Sequence, residues 1–214
     1  MQCRARTLTR VKSLRLLWLA ALLLVIDVGN ARLSGLAAPA NRFLAGQLLV
    51  ASGEMKDPRF AESIIYLVKH DDTGALGLVV NKPVAKVPFD ELLKGFGIDA
   101  KGAKGEIVVH YGGPVNRHQG FVLHSDDWVL DSSTKVKDGV AMTADGKMVQ
   151  ALAVGKGPRQ ALLIMGYAGW AAGQLEMELK ANSWFTIGAD KSLVFGNEPE
   201  KKWRRAMDKR QIPL

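Results

Sequence analysis

The chain has 214 residues, 48% of them hydrophobic and 23% charged, and its formal net charge is +8 at pH 7. This length suits one domain or at most two small ones, and the composition excludes a chain that is disordered throughout. Residues 1–31 contain five basic side chains and one acidic side chain and so carry +4, which leaves only +4 for the rest of the chain and weakens the case for a nucleic-acid binder that works by charge.

The N-terminal segment has the pattern of a secretory signal. Basic residues precede residues 16–26, an uninterrupted apolar run of 11 residues, and small residues ending at Ala31 occupy the positions read by a signal peptidase. A bilayer-spanning helix needs roughly 20 apolar residues, so this run is too short to be predicted as one. We therefore predict a signal peptide over residues 1–31 with cleavage after Ala31, a linker over 32–41, one domain over 42–214 and a periplasmic location. An uncleaved inner-membrane anchor and a cytoplasmic protein with a misassigned start codon are the open alternatives.

The only cysteine, Cys3, lies before that apolar run. This position argues against a lipoprotein signal, and it leaves the predicted mature domain without a thiol. A disulfide, a cysteine nucleophile and a cysteine-based metal site are therefore excluded from the domain.

The first part of the domain has the pattern of strands separated by polar turns. Residues 43–50 predict a strand. Asp57 followed by Pro58 predicts a short helix, because aspartate caps helices and proline is favoured in the first turn. Residues 63–68 and 75–80 predict two strands joined as a hairpin by a polar turn that ends in glycine. Both runs are apolar at consecutive positions, which indicates strands buried on both faces.

Helices and strands alternate irregularly in the remainder of the chain. A helix is predicted over 88–95, where apolar residues recur at i, i+3, i+4 and i+7. Further helices are predicted over 145–154, over 174–180 and after the capping-box spacing at 197–200. Strands are predicted over 107–111, 120–124, 161–167, 184–187 and 193–195, with short strands between residues 125 and 143. Because no strict strand–helix–strand alternation appears, an α+β fold is predicted rather than a doubly wound one.

Four ordered sequence blocks run through this domain. They are Met55–Phe60 with Ser63–Tyr66; His70–Pro83; Gly112–Val115 with Gly120–His124; and Gly166–Trp170 with Gly173–Glu176 and Asn182–Trp184. Together and in this order they resemble the YqgE/AlgH family. The resemblance implies a mixed, bifurcated β-sheet that is partly closed into a small barrel and flanked by helices. It also implies a family without a defined biochemical activity, whose frequent label of transcriptional regulator rests on no recognisable DNA-binding motif.

Two clusters carry side chains suited to chemistry, His70-Asp71-Asp72 and His124-Ser125-Asp126-Asp127. Imidazole and carboxylate groups together bind divalent metals or perform general acid–base catalysis. Both clusters also lie where a strand becomes a turn, and aspartate and serine commonly form local backbone hydrogen bonds there. Neither has a recognised metal-ligand spacing, so the local structural role is the favoured interpretation, and no metal or cofactor is predicted.

Other catalytic motifs lack support. Ser63 and Ser125 are not in a G-x-S-x-G elbow, and the paired glycines at 112–113 lack the lysine and serine or threonine of a phosphate-binding loop. Turn geometry fixed by Pro114 is the favoured interpretation of these glycines. Residues 166–170 bring two aromatic side chains to a strand end, where they could shape a groove, although packing against the following helix is the simpler interpretation.

Eight residues within the blocks are the candidates for contact with a partner or ligand: His70, Asn81, Gly112, Gly113, Pro114, His124, Gly169 and Trp170. A second candidate surface is the C-terminal helix, whose stripe of Trp203, Ala206 and Met207 is accompanied by six basic residues. These are Lys201, Lys202, Arg204, Arg205, Lys209 and Arg210. A solvated basic face is predicted for this helix, with contact to an anionic membrane surface or to nucleic acid as the alternative.

Taken together, the sequence predicts a non-enzymatic protein that is exported to the periplasm and works by binding a protein partner, with no small-molecule ligand identified. An export segment is unusual in the resembled family, and it makes nucleic acid an unfavourable partner. A cytoplasmic regulator of transcription is the first alternative, and a metal-dependent or acid–base enzyme is the second.

Overall fold

Ten strands and five helices form over residues 42–210, the part of the chain that the computed structural model describes. The strands are β1 (Gln47–Ala51), β2 (Ile64–Asp71), β3 (Gly74–Val79), β4 (Pro83–Pro88), β5 (Glu106–Tyr111), β6 (Val115–Ser125), β7 (Thr134–Lys137), β8 (Val140–Thr143), β9 (Ala161–Ala171) and β10 (Trp184–Gly188). The helices are α1 (Phe89–Gly95), α2 (Gly146–Ala153), α3 (Gln174–Lys180), α4 (Lys191–Phe195) and α5 (Pro199–Arg210). The predicted signal peptide, its cleavage site and the linker over 32–41 lie outside the described residues. Within residues 42–210, no helix is both long enough and apolar enough to cross a membrane.

One curled sheet organises the fold. Its main path runs β10–β1–β2–β3–β9–β6–β8–β7, with every neighbouring pair antiparallel. β5 adds a parallel pairing with β9 and carries β4 along its other side. The predicted α+β class and the mixed, bifurcated sheet are therefore confirmed, with the sheet curled into half a barrel.

The sheet forks along β9. One edge of β9 pairs with β6, while the other edge is shared between β5, at Leu163–Met165, and β3, at Ala168–Ala171. Gly112 lies at this fork, where its N–H donates to Met165 O at 2.8 Å and its carbonyl accepts the Val79 N–H at 3.1 Å. A Cβ on Gly113 would lie 2.2 Å from the carbonyl carbon of Tyr167. The paired glycines therefore allow the backbone to approach β9 closely at the point where β5 and β3 diverge along its edge.

Consecutive apolar residues in β1 and β2 are buried because both faces of these strands are covered. Leu48 and Val50 contribute to one core, which includes α4 and part of α5. Leu49 and Ala51 contribute to a second core, beneath α3. The prediction of burial on both faces concerned residues 63–68 and 75–80. It is confirmed, because Tyr66 and Leu78 lie in the first core and Leu67 and Val79 lie in the second. A third core lies where α1 and α2 cover β5, β6 and β9.

The predicted helix at Asp57-Pro58 is wrong, because this segment forms turns. The Asp57 carboxylate accepts the Arg59 N–H at 2.9 Å, and its carbonyl accepts the Phe60 N–H at 3.0 Å. Glu62 then adopts a φ of 56°, which is incompatible with helix continuation. The Asp57 side chain therefore closes a tight turn and does not cap a helix.

The strand predicted over 193–195 is also wrong, since these residues belong to α4. The Asp190 side chain caps this helix by accepting the Ser192 N–H at 2.8 Å. The three apolar side chains, which favour a strand locally, are buried in the first core as part of a helix. β4 had no sequence prediction. β4 begins and ends with proline, a residue that argues against a strand in the sequence. Proline is tolerated here because β4 is an edge strand, where a residue without a backbone N–H need not donate to a neighbouring strand.

Candidate functional site

A cleft of about 550 Å³ lies between the β1–β2 loop and α3, and we call it the tryptophan cleft. Three of the four sequence blocks converge on it. Its lining includes Met55 and Phe60 from the first block, Pro114 from the third, and Gly169, Trp170, Asn182 and Trp184 from the fourth. Residues far apart in the sequence therefore share one surface.

The two tryptophans of the cleft are held by one carboxylate. The indole N–H groups of Trp170 and Trp184 donate to the same atom, Oε2 of Glu178, at 2.9 and 2.8 Å. The Gln174 side-chain amide donates to Oε1 of the same carboxylate at 2.9 Å. Both tryptophans are almost fully buried, and their rings pack edge to face with centroids 6.1 Å apart. The aromatic part of the cleft is therefore rigid before anything binds.

The opposite wall of the cleft comes from the β1–β2 loop. Phe60 packs edge to face on Trp184 with centroids 5.5 Å apart. Next to it, Arg59 forms a bidentate pair with Asp57, with Nε–Oδ1 and Nη2–Oδ2 distances of 3.0 and 2.7 Å. The Arg59 guanidinium, as the main cause, holds the pKa of Asp57 below its ordinary value. At the rim, the side chain of Asn182 is exposed.

A second groove, of about 690 Å³, adjoins the first, and we call it the cationic groove. Its lining is Arg59, Lys82 and Arg117 together with Pro58, Pro83, Val84, Tyr111 and Pro114. Arg59 and Pro114 border both the groove and the tryptophan cleft. The Lys82 amine donates to the Arg59 carbonyl at 2.9 Å, and partial burial lowers the pKa of Lys82.

His70 lies away from both depressions and is held by protein groups at both ring nitrogens. Its Nδ1 accepts the Leu44 N–H at 3.0 Å, so Nε2 carries the proton of the neutral ring and donates to the Glu176 carboxylate at 2.9 Å. Asp71 pairs instead with Lys69 at 2.9 Å. The residues of this predicted cluster therefore face different neighbours, and His70 ties the segment before β1 to α3.

His124 is fully buried, with Nδ1 near Ser125 O and Nε2 near Thr143 Oγ1, both at 2.9 Å. Burial is the main cause that lowers the pKa of His124. Asp127 bonds to the Ser125 hydroxyl and to Arg159, and these contacts lower the pKa of Asp127 to about 2. The imidazole and the carboxylates of this predicted cluster are not brought together. No group of three or more potential metal ligands occurs within residues 42–210.

Three further candidates, Asn81, Gly112 and Gly113, support the sheet and do not line the tryptophan cleft. Asn81 accepts the Ile64 N–H at 2.8 Å and donates to the Glu62 carbonyl at 2.8 Å, so it closes the end of the β2–β3 pair. Gly112 and Gly113 lie at the fork of the sheet. Of the eight candidates, Pro114, Gly169 and Trp170 line the tryptophan cleft, whereas His70 and His124 do not.

The basic C-terminal helix is docked on the first core by the predicted apolar stripe, and the Trp203 indole donates to Ala51 O at 2.8 Å. One prediction for this helix is wrong, because Lys202 is buried rather than solvated. Its amine donates to Val80 O at 3.0 Å and to Val194 O at 2.7 Å, and burial lowers its pKa to about 8. Ion pairs with Glu198 and Asp190 occupy three more of the basic side chains, Lys201, Arg205 and Lys209.

The sequence prediction missed Arg59, Lys82, Arg117, Glu178 and Trp184 as members of a shared surface. All except Arg117 and Glu178 lie inside the blocks, so a signal was present in the arginine of Met55–Phe60 and the tryptophan of Asn182–Trp184. Glu178 could have been found from its spacing, since it lies one helical turn after Gln174 on the same face of α3.

Comparison with known proteins places this arrangement in context. A family model for AlgH-like proteins (DUF179) matches residues 48–214. A UPF0301 protein of Methylocella silvestris is 47% identical over 175 residues, which cover 78% of this chain and 85% of that protein. A UPF0301 protein of Bradyrhizobium diazoefficiens is 42% identical over 189 residues, covering 84% and 88%. The solution structure of the AlgH protein from Pseudomonas aeruginosa aligns with a TM-score of 0.68 at 35% identity, covering 81% of this chain and 92% of that one. A crystal structure of a Corynebacterium diphtheriae protein, 22% identical with a TM-score of 0.64, shares the fold.

Proposed function

This chain belongs to the AlgH-like family, and from that premise we propose that it is an exported, non-enzymatic protein that binds a protein partner through the tryptophan cleft. The names of its relatives describe no reaction, so the proposal rests on the cleft itself. The single observation that carries it is the convergence of three sequence blocks on one preformed cleft.

The cleft has the composition of a protein interface. Phe60 is partly exposed in the lining and packs on Trp184, which in turn packs on Trp170. Partly exposed aromatic side chains surrounded by polar groups are typical of the residues that dominate binding energy, and a rigidly held one loses little conformational entropy on binding. Glu178 fixes both indoles in advance, and the exposed amide of Asn182 offers a donor and an acceptor at the rim. These features favour recognition of a peptide segment.

The non-catalytic part of the proposal draws on the two histidines among the candidate residues. His70 and His124 each have both ring nitrogens engaged by protein groups, and neither lines the tryptophan cleft. A general base must lie within hydrogen-bond reach of the group that it deprotonates. Binding is therefore the function that the site geometry supports best.

The export part of the proposal draws on the N-terminal sequence, and mass spectrometry of the protein from its native host tests it. We expect the mature chain to begin at Arg32 and to fractionate with the periplasm. A chain that begins at Met1 and is recovered from the cytosol would overturn export and would favour the alternative of a cytoplasmic regulator.

Site-specific photo-crosslinking tests the cleft. A photoreactive phenylalanine derivative replaces Lys56, which lines the cleft and is exposed, in the full chain expressed in its host. The matched control carries the same derivative at Met177, which is 65% exposed on α3 and outside the lining. We expect a discrete protein adduct at position 56 that is absent at position 177. No adduct, or the same adducts at both positions, would contradict the proposal.

A further inference from the structure

We infer that the segment bound in the tryptophan cleft is extended and acidic, with a carboxylate side chain placed in the adjoining cationic groove. This inference rests on the proposed function and specifies the chemistry of its partner. It is carried by the charges, the lining and the position of the cationic groove.

The charges of the groove are only partly compensated inside the protein. Arg59 is paired with Asp57, but neither Lys82 nor Arg117 has a carboxylate within ion-pair distance among residues 42–210. Lys82 is partly buried, and its amine is satisfied in part by a neutral carbonyl. Glu62 and Asp57 act on Lys82 electrostatically, but neither forms an ion pair with it within residues 42–210. A cation that is partly removed from water and has no directly bonded carboxylate attracts an anionic group more strongly than a fully solvated one does.

The surface between these cations is apolar and stiff. Pro58, Pro83 and Pro114 line it together with the ring of Tyr111 and the exposed side chain of Val84. Proline has no backbone N–H and a fixed φ. The surface between the cations therefore has few backbone N–H donors, and its backbone changes little on binding. It suits the apolar part of an extended peptide whose acidic group contacts the surrounding cations.

The two depressions form one path. Because Arg59 and Pro114 border both of them, a single extended segment can contact the tryptophan cleft and the cationic groove at once. Extended chain advances by roughly 3.3 Å per residue, so a few residues are enough to separate an apolar anchor from an acidic one.

Charge distribution favours an acidic peptide over a nucleic acid. The tryptophan cleft is lined by Glu54, Asp57 and Glu178 as well as by Lys56 and Arg59, so it is not a continuous basic surface. A nucleic-acid backbone carries a negative charge at every phosphate and would meet these carboxylates along the same path. A peptide with one or two acidic residues places its charge only in the cationic groove.

The experiment selects a random peptide library displayed on phage against the full chain and against two charge-reversal variants. Arg117→Glu inverts an exposed charge of the cationic groove, and the matched control Arg204→Glu inverts an exposed arginine on α5. Circular dichroism verifies that both variants are folded, and Lys82→Gln provides a second groove variant. Affinities of the selected peptides are measured by fluorescence anisotropy, and a fluorescein-labelled single-stranded oligonucleotide is tested alongside them.

We expect the selected peptides to carry an acidic residue at a fixed spacing from an aromatic or apolar residue. Their affinity should fall by about fivefold or more in Arg117→Glu and stay unchanged in Arg204→Glu, as loss of a partly exposed charge pair would produce. Apolar peptides without acidic enrichment, or acidic enrichment that survives Arg117→Glu and Lys82→Gln, would overturn the inference and leave the proposed binding function standing. An oligonucleotide that binds through Arg117 while no acidic peptide does would overturn it in favour of nucleic acid. If no peptide is enriched at all, both the inference and the peptide-binding function are overturned.

Discussion

Trp170 and Trp184 donate their indole N–H groups to the same oxygen atom, Oε2 of Glu178. Trp170 is the penultimate residue of the long central strand β9, whereas Trp184 is the first residue of β10 at an edge of the sheet. Helix α3 lies between them in sequence and supplies the shared acceptor. The tryptophan cleft is therefore built by one carboxylate that joins three elements.

Replacing Glu178 with alanine should destabilise the fold and loosen the cleft. The substitution removes the acceptor of two nearly buried donors, and we expect the free energy of unfolding to fall by about 2 kcal/mol. Urea unfolding followed by tryptophan fluorescence measures the change. Glu91→Ala is the matched control, because Glu91 is exposed on α1, and its effect should stay within about 0.5 kcal/mol. Equal stability of the two variants would show that the shared carboxylate is dispensable.

Replacing Gly113 with alanine should disrupt the fork of the sheet. A Cβ at this position would lie 2.2 Å from backbone atoms of Tyr167, and the φ of 151° is one that side chains rarely adopt. We expect a loss of at least about 3 kcal/mol, because neither strand can move without breaking its ladder. Thermal unfolding measures this loss. Gly53→Ala is the control, since a Cβ there meets nothing within 4 Å, and it should unfold near the wild-type temperature.

Replacing His70 with leucine should release the segment that precedes β1. The substitution preserves bulk but removes the acceptor of the Leu44 N–H, whose distance to Nδ1 is 3.0 Å. We expect hydrogen exchange at the Leu44 amide to accelerate by about tenfold, because the net free energy of one hydrogen bond corresponds to a factor of this size. His118→Gln alters an exposed histidine and should leave this exchange rate unchanged. A slow Leu44 amide in His70→Leu would mean that other contacts hold the segment.

The buried Lys202 amine should make the protein more stable as the pH rises from 8 to 10. Its pKa is about 8 in the folded state, below the ordinary value of 10.5, so the unfolded chain binds more protons between these values. Stability therefore increases with pH in this window, by about 2 kcal/mol between pH 8 and 10, because the cost of burying a charge disappears.

Chemical denaturation across that pH range, compared between the wild type and Lys202→Met, isolates this effect. The rise should be clearly smaller in the variant, because it lacks the buried amine of Lys202. Partial burial also lowers the pKa of Lys82, and this lysine contributes a smaller rise that is common to both proteins. The window ends at pH 10 because burial raises the pKa of Tyr66 above its ordinary value of 10.0, and ionisation of this tyrosine in the unfolded state then acts in the opposite direction. Parallel pH profiles for the two proteins would exclude Lys202 as the source.

The amino-acid sequence by itself determined the α+β class, the β2–β3 hairpin and helices α1, α2, α3 and α5. These features depend on residues close together in the chain. Apolar side chains repeat with the period of a helix or form short continuous runs, and turn residues occupy the intervals between them. The four blocks likewise identified the family, which the comparisons confirmed.

Only the tertiary structure decided the features that depend on contacts between residues far apart in the chain. Residues 193–195 favour a strand locally, yet the Asp190 cap and burial against α5 make them a helix. Lys202 belongs to a basic run, but it donates to the carbonyls of Val80, directly after β3, and of Val194, in α4. The sequence does not show that these two groups are neighbours. The convergence of Trp170 and Trp184 on Glu178 has the same origin. Local patterns fix which elements form, whereas strand pairing and helix packing fix which side chains meet.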